Sequence, residues 1–143
     1  MTRLLTSALL AAGLALPAAA QTEPDLVTVV TSEAPQVQLM AMVLTMQAVE
    51  QGQSVRMLLC GPGGDLGLSE APESATAPQP PRDMSPQGLM SALMARGVTV
   101  EVCAIYLPGR GEGPEVLLDG VGVAEPPAMA AAMLGEGTTV WSF

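Results

Sequence analysis

The chain of 143 residues contains no histidine, no lysine, and only one residue each of tryptophan, tyrosine and phenylalanine. The lack of histidine excludes imidazole catalysis and most zinc sites. The lack of lysine excludes a phosphate-binding P-loop. The scarcity of aromatic side chains argues against a surface that stacks sugars or single-stranded nucleic acid. We therefore expect no bound cofactor.

Positive charge is also scarce. Five arginines stand against 14 acidic residues, and the formal net charge is −9 at pH 7. Nucleic acid and anionic membrane surfaces are bound through clustered cationic side chains, and this chain has no basic run. We therefore expect no nucleic-acid partner.

Residues 1–20 have the pattern of a secretory signal peptide. Arg3 supplies the positive charge, an apolar stretch of about 12 residues follows, and three alanines end at Ala20. The stretch is shorter than the roughly 20 apolar residues that span a bilayer. We expect export to the periplasm, cleavage after Ala20, no membrane segment in the mature chain, and one domain over residues 21–143.

After the apolar leader, strand-like runs alternate with helical segments. The predicted strands are 25–32, 54–60, 98–106, 121–124 and 138–143, and the predicted helices are 36–51, 86–96 and 126–134, with one or two further helical turns at 114–119. Such alternation predicts an α/β fold with a parallel sheet covered on both faces. Helix 36–51 carries apolar side chains on most of its circumference, so we expect it to be substantially buried.

The segment 61–84 interrupts the alternation. It is rich in proline, glycine and acidic residues and has no hydrophobic periodicity. Loops longer than about 12–15 residues are usually functional or disordered. We interpret it as a long flexible loop, either a mobile flap tethered by Leu66 and Leu68 or a disordered insertion without a role.

The only two cysteines end two predicted strands. Cys60 closes the second strand, and Cys103 lies late in the third. In a parallel sheet both approach the carboxyl edge, which is the usual ligand crevice. Whether they meet depends on whether these strands are neighbours. Three interpretations stay open: a disulfide, a reactive Cys103 with Cys60 as helper or bystander, and two inert thiols.

Activation of Cys103 requires a nearby cation or a helix N-terminus. Arg110 is the nearest cation in the sequence and is the candidate stabiliser of the thiolate. A helix near Pro114 is a candidate for the second role. Glu101 and Glu112 would disfavour a thiolate if they lay close to it.

Methionine thioethers suggest a further alternative, the binding of copper(I) in an exported protein. The methionines fall in apolar helical stretches, where methionine is ordinary core filler. The residues concerned are Met40, Met42, Met46, Met90, Met94, Met129 and Met133.

The sequence resembles the DsrE/DsrF-like family, including its small exported members. The resemblance is carried by the succession of DLVTVVTS, a buried helix, SVRMLLC and SPQGLMSALMARGVTVEVCAIYLPGRG, closed by EVLLDGVGVAEPPAMAAAMLGEGTTVWSF. It implies a three-layer α/β/α fold with a mainly parallel five-stranded sheet. It also implies homo-oligomers, often trimers or hexamers, and sulfur transfer through a cysteine persulfide, with Cys103 at the position of the functional cysteine.

These observations predict a periplasmic sulfur (persulfide) or thiol-redox carrier that uses Cys103, with Cys60 assisting and Arg110 stabilising the thiolate. A protein that donates or accepts sulfur is the candidate partner, and export argues against the tRNA-modification role of some relatives. The alternative is a non-enzymatic oligomeric module that binds a small ligand or supports assembly, in which the cysteines are structural.

Overall fold

The computed structural model describes residues 23–143, and the predicted signal peptide lies outside them. Five strands form one sheet in the order β4-β3-β2-β1-β5, and every neighbouring pair is parallel. The strands are β1 (Leu26–Val30), β2 (Val55–Leu59), β3 (Thr99–Val102), β4 (Gly122–Val123) and β5 (Thr139–Ser142). The predicted five-stranded parallel sheet is therefore confirmed.

Five α-helices connect or flank the strands: α1 (Pro35–Glu50), α2 (Glu73–Thr76), α3 (Pro86–Met94), α4 (Tyr106–Arg110) and α5 (Pro126–Met133). Proline begins α1, α3 and α5, where its missing N–H costs no helical hydrogen bond. Ser85 caps α3, because its hydroxyl accepts a hydrogen bond from the Gly88 N–H at 3.1 Å. Within residues 23–143, no helix has the length and apolar character needed to cross a membrane.

The helices cover both faces of the sheet, which gives the predicted three layers. On one face, Met42 of α1 and Met90 of α3 are fully buried in the same cluster as Met57 of β2. On the other face, Leu58 of β2 packs in a smaller cluster with Met129 of α5. Consecutive residues of β2 thus serve opposite cores, because side chains alternate along a strand. The burial of these methionines favours their interpretation as core filler.

Helix α1 is less buried than its sequence predicts. Its inner face, with Ala41, Met42 and Thr45, is fully buried. The Thr45 hydroxyl forms a 3.0 Å hydrogen bond with the hydroxyl of Thr28 of β1. On the outer face, however, Met40 is 52% exposed. The helix belongs to an outer layer, so the sheet and α3 cover only part of its circumference.

The segment 61–84 contains more structure than the sequence indicates. A 3-10 helix spans Gly61–Gly67, and α2 follows it. Leu66 and Leu68 are buried in the main core, which confirms that they tether the segment. The side-chain amide of Gln87 also donates hydrogen bonds to the carbonyl oxygens of both leucines, at 3.0 and 2.8 Å. The mobility of this segment stays a prediction.

One boundary prediction is wrong. The third strand ends at Val102, and Tyr106, predicted as its last residue, begins α4. The chain leaves the sheet at Cys103, whose carbonyl accepts a hydrogen bond from the Tyr106 N–H at 2.9 Å and closes a turn. The helix after Cys103 therefore begins at Tyr106 and not near Pro114, where the structure has a short 3-10 helix, Pro114–Val116.

Candidate functional site

The two cysteines lie side by side at the carboxyl edge of the sheet. Cys60 directly follows β2, and Cys103 directly follows β3. These strands are neighbours, and their register pairs Leu59 with Val102, so the next residue of each strand reaches the same position on the edge. The Cα atoms of the cysteines are 5.2 Å apart, within the usual range for a bridged pair, and the sulfurs form a disulfide.

Backbone hydrogen bonds hold both cysteines in place. The Cys60 N–H donates to the Val30 carbonyl at 2.9 Å, and the Cys103 N–H donates to the Leu59 carbonyl at 2.8 Å. Each ladder thus continues one residue past its strand. Cys60 packs against the smaller core, and Cys103 packs against both cores. The sheet therefore holds the backbones of the two cysteines side by side.

The disulfide faces an open groove of about 570 Å³. Both cysteines are half-buried and line this groove, together with Glu33 from the loop after β1 and Pro62 from the 3-10 helix. Ile105, two residues after Cys103, stands at the rim and is 80% exposed. An incoming thiol or sulfur compound therefore has an open approach to the sulfurs.

Tyr106 joins the two segments that follow the cysteines. Its hydroxyl donates a 2.6 Å hydrogen bond to Oδ1 of Asp65, which lies in the 3-10 helix after Cys60. Its ring covers Gly64 so closely that a Cβ at Gly64 would overlap the ring atoms. Burial, and then the hydrogen bond to Asp65, raise the pKa of Tyr106 well above its usual range, so the hydroxyl keeps its proton.

Arg110, the predicted thiolate stabiliser, lines the same groove as the cysteines. Its guanidinium donates to Glu112 at 2.6 Å and to Asp65 at 3.4 Å, and it lies 5.4 Å from the centre of the Tyr106 ring. The hydrogen bond to Glu112 raises the pKa of Arg110, so its charge is permanent. The carboxylates of Glu112 and Asp65 compensate this positive charge, so the guanidinium can stabilise a neighbouring thiolate only weakly. Its role as stabiliser stays a prediction.

The two glutamates that the sequence identified as unfavourable neighbours of Cys103 are both paired. Glu101 forms a bidentate ion pair with Arg56, with distances of 2.6 and 3.0 Å, and lines a separate cavity on the opposite side of the molecule. Glu112 is held by Arg110. Of these two glutamates, therefore, only Glu112 lies near the groove of the cysteines, through its ion pair with Arg110.

Sequence reasoning missed Tyr106 and Asp65 as members of the site. The two residues are 41 positions apart, and neither belongs to a recognisable motif. The one available signal was that this chain has a single tyrosine, and that it stands three residues after Cys103.

We expect Tyr106→Phe to loosen the link between the two cysteine segments. The ring that packs on Gly64 stays, but the hydrogen bond to the Asp65 carboxylate is lost. A hydrogen bond to a charged group contributes about 1–2 kcal/mol at a half-buried site, and the free energy of unfolding should fall by that amount. Urea denaturation of the oxidised protein measures it.

Ser54→Ala is the matched control for this prediction. It removes the 2.8 Å hydrogen bond that the Ser54 hydroxyl donates to the Asp25 carboxylate, and also the 3.1 Å bond that this hydroxyl accepts from the Asp25 N–H. Both bonds are exposed and lie at the amino edge of the sheet. A loss in Tyr106→Phe no larger than the loss in Ser54→Ala would contradict a specific role for the tyrosine hydroxyl.

Comparison with known proteins identifies the fold. The ychN protein from E. coli matches with a TM-score of 0.64 and 23% sequence identity, over 82% of this chain and 97% of that chain. A protein of unknown function from Methanobacterium thermoautotrophicum, MTH1491, matches with a TM-score of 0.58 and 17% identity, over the same shares of the two chains. No family model and no curated protein matches the sequence. At these identities the likeness concerns the fold, which agrees with the DsrE-like architecture that the sequence resembles.

Proposed function

We propose that this protein is a sulfur or thiol-redox carrier in which Cys60 and Cys103 alternate between a disulfide and an open form. One observation carries the proposal. Two neighbouring parallel strands hold the only two sulfhydryl residues of the chain at bonding distance, at the edge of the sheet where ligands bind, and facing an open groove. A pair that served only as a staple would not need access from solvent.

The proposed chemistry is thiol–disulfide exchange. In the sulfur-loading step, a hydrosulfide ion attacks the Cys103 sulfur, the S–S bond breaks, and the bonding electrons leave with Cys60 as a thiolate. Cys103 then carries a persulfide. An acceptor thiolate attacks the outer sulfur of that persulfide and becomes a persulfide itself, and Cys103 is released as a thiolate. Reoxidation of the two thiols by an external disulfide restores the starting state.

The assignment of the carried sulfur to Cys103 is supported by the resemblance to DsrE-like proteins, in which the functional cysteine follows a corresponding helix and strand. Cys60 is the resolving residue in this proposal. The sheet supports both roles, because backbone hydrogen bonds to Val30 and Leu59 hold Cys60 and Cys103 on neighbouring strands. The sulfurs therefore stay close together after the bond opens.

A redox titration tests this function. The folded protein is equilibrated in glutathione buffers of graded potential, the thiols are alkylated, and the fractions are counted by mass. We expect a reversible transition between disulfide and dithiol forms while circular dichroism stays native. Its midpoint should lie above about −300 mV, the region of exchangeable disulfides. A folded protein whose disulfide stays closed throughout would contradict the proposal.

The proposal includes export to the periplasm, supported by the signal-peptide pattern of residues 1–20. An oxidising compartment suits a carrier whose resting state is a disulfide. Export followed by cleavage after Ala20 is tested by the N-terminal sequence of the protein recovered from that compartment.

We also propose that the chain forms a homo-oligomer, a trimer or a hexamer. Val37, Met40 and Leu44 are exposed and follow one another along the outer face of α1 at the spacing of a single helical stripe. The helix has one ionisable residue, Glu50 at its end, in a chain of net charge −9. This face is therefore a surface where two copies can approach without repulsion. Light scattering tests this proposal by measuring the molar mass of the Met40→Glu variant beside that of the wild type.

A second candidate is a non-enzymatic module that binds a small ligand, with the disulfide as a permanent staple. The observation that favours it is the packing of Cys103 against both cores, which is typical of a structural cysteine. The same redox titration separates the two candidates, because this one predicts that reduction requires unfolding.

A further inference from the structure

The groove that holds the disulfide is negatively charged. Glu33 and Asp65 line it, and Glu112 is bound to the one guanidinium present, that of Arg110. Three negative charges and one positive charge leave a net charge of −2 around the sulfurs. The guanidinium is already engaged by Asp65 and Glu112, so it is not available to an incoming anion.

The remaining arginines of the described chain lie elsewhere. Arg56 and Arg96 line the cavity at the amino edge of the sheet. Arg82 lines the groove beside α1. Within residues 23–143, therefore, no second cation reduces the negative charge of the disulfide groove. The net charge of the whole chain, −9, adds to the repulsion of any anion at longer range.

The rim of the groove also offers an apolar contact. Ile105 is 80% exposed two residues after Cys103, and Pro62 is exposed two residues after Cys60. Together they frame the sulfurs with apolar surface. Apolar side chains around a cysteine of another protein can pack against this surface, whereas a small hydrophilic thiol cannot.

We propose, on the basis of the proposed function, that the exchanging partner is a thiol or persulfide with positive charge next to its sulfur, presented on the basic surface of another protein. The attacking species is itself an anion, because thiolates and not thiols are the nucleophiles. A thiolate without a neighbouring cation is repelled by the carboxylates of Glu33, Asp65 and Glu112. A thiolate with a cation beside it replaces this repulsion by attraction.

The reaction balances with the partner as the only co-reactant. One partner thiolate attacks a sulfur of the disulfide, the S–S bond breaks, and the other cysteine leaves as a thiolate, so that a mixed disulfide forms. A second partner thiolate attacks the partner sulfur of this mixed disulfide and releases the remaining cysteine. Two partner thiols are oxidised to a disulfide, and Cys60 and Cys103 are reduced and take up two protons.

Three small thiols of similar size test the charge preference: cysteamine, which is cationic; 2-mercaptoethanol, which is neutral; and 2-mercaptoethanesulfonate, which is anionic. Each rate of reduction is divided by the rate of the same thiol with bis(2-hydroxyethyl) disulfide, which removes differences in intrinsic reactivity. We expect cysteamine to be about tenfold faster than the sulfonate at low ionic strength. The ratio should approach one at about 1 M salt, where the Debye length is about 3 Å.

Variants identify the charges responsible. Glu33→Gln should lower the ratio of cysteamine to sulfonate rates about two- to threefold. Glu136→Gln is the matched control, because it makes the same change in net charge at an exposed position in the turn before β5, at the amino edge of the sheet. It should leave the ratio unchanged.

A second arm tests whether the partner is a protein. A peptide with one cysteine between leucine and arginine residues should reduce Ile105→Ser more slowly than the wild type, while cysteamine reduces both equally. Equal peptide rates would overturn the protein assignment in favour of a small aminothiol. Equal normalised rates for all three small thiols would overturn the charge preference and leave the carrier function intact. Reduction by none of them in the folded protein would overturn both.

Discussion

Cys103→Ser is expected to abolish the uptake of sulfur from hydrosulfide, because the remaining Cys60 thiol has no disulfide bond for hydrosulfide to open. The purified protein is treated with hydrosulfide or with a small persulfide, and intact mass spectrometry counts the sulfur atoms gained. The wild type should gain them on Cys103, the residue to which the proposal assigns the carried sulfur, since it lines the open groove and is bonded to a partner sulfur that can leave. A serine hydroxyl at this position forms neither a disulfide nor a persulfide.

Cys60→Ser is the informative companion variant. It removes the thiol that the proposal assigns as resolving but keeps the thiol of Cys103, so it cannot take up sulfur by opening a disulfide. It should accept sulfur from a persulfide donor and retain it longer than the wild type, since no neighbouring thiolate attacks the loaded cysteine. Loading of Cys103→Ser at the wild-type level, or loss of loading only in Cys60→Ser, would contradict the assignment of the carrier residue to Cys103.

The second large effect concerns stability. The disulfide joins residues 43 positions apart in the sequence. Closure of a loop of that length lowers the entropy of the unfolded chain and contributes about 4 kcal/mol in the chain-entropy model. Opening the bond should therefore lower the free energy of unfolding by about this amount, and Tm by about 10–15 °C. Urea denaturation of the oxidised and the reduced protein measures the difference.

The double variant Cys60→Ser/Cys103→Ser separates the bond from the thiols. It should match the reduced wild type to within about 1 kcal/mol, because serine and cysteine have similar volumes and both positions are half-buried. The reduced protein should still fold, since the five strands and both cores remain. A reduced protein that unfolds at 25 °C would indicate a staple and would contradict the carrier proposal.

The sequence was sufficient to predict the main elements of the fold. Its alternation of valine-rich runs with proline-started apolar helices follows from local chemistry, and the structure has strands at the predicted places and proline at the first positions of α1, α3 and α5. The sequence also predicted that Cys60 and Cys103 lie at the same edge of the sheet, because parallel strands all have their carboxyl ends at one edge. These features depend on residues close together in the chain.

The features that were not predictable depend on contacts between distant residues. Strand order decides whether the cysteines meet, and it results from the packing of the whole sheet. The contact of Tyr106 with Asp65 joins the start of α4 to the 3-10 helix after Cys60, and it requires a glycine at position 64 and the turn at Cys103. The partial exposure of α1 was likewise unpredictable, because the sequence of an apolar helix does not show how much of its surface the neighbouring elements cover.

The measurement that tests the account most directly is the intact mass of the protein isolated with immediate alkylation and without reductant. We predict a population in which Cys103 carries one or more additional sulfur atoms that mild reductant removes, beside a population with the Cys60–Cys103 disulfide. A single species with a complete disulfide that resists mild reduction in the folded state would contradict the carrier function and would assign the bond a structural role.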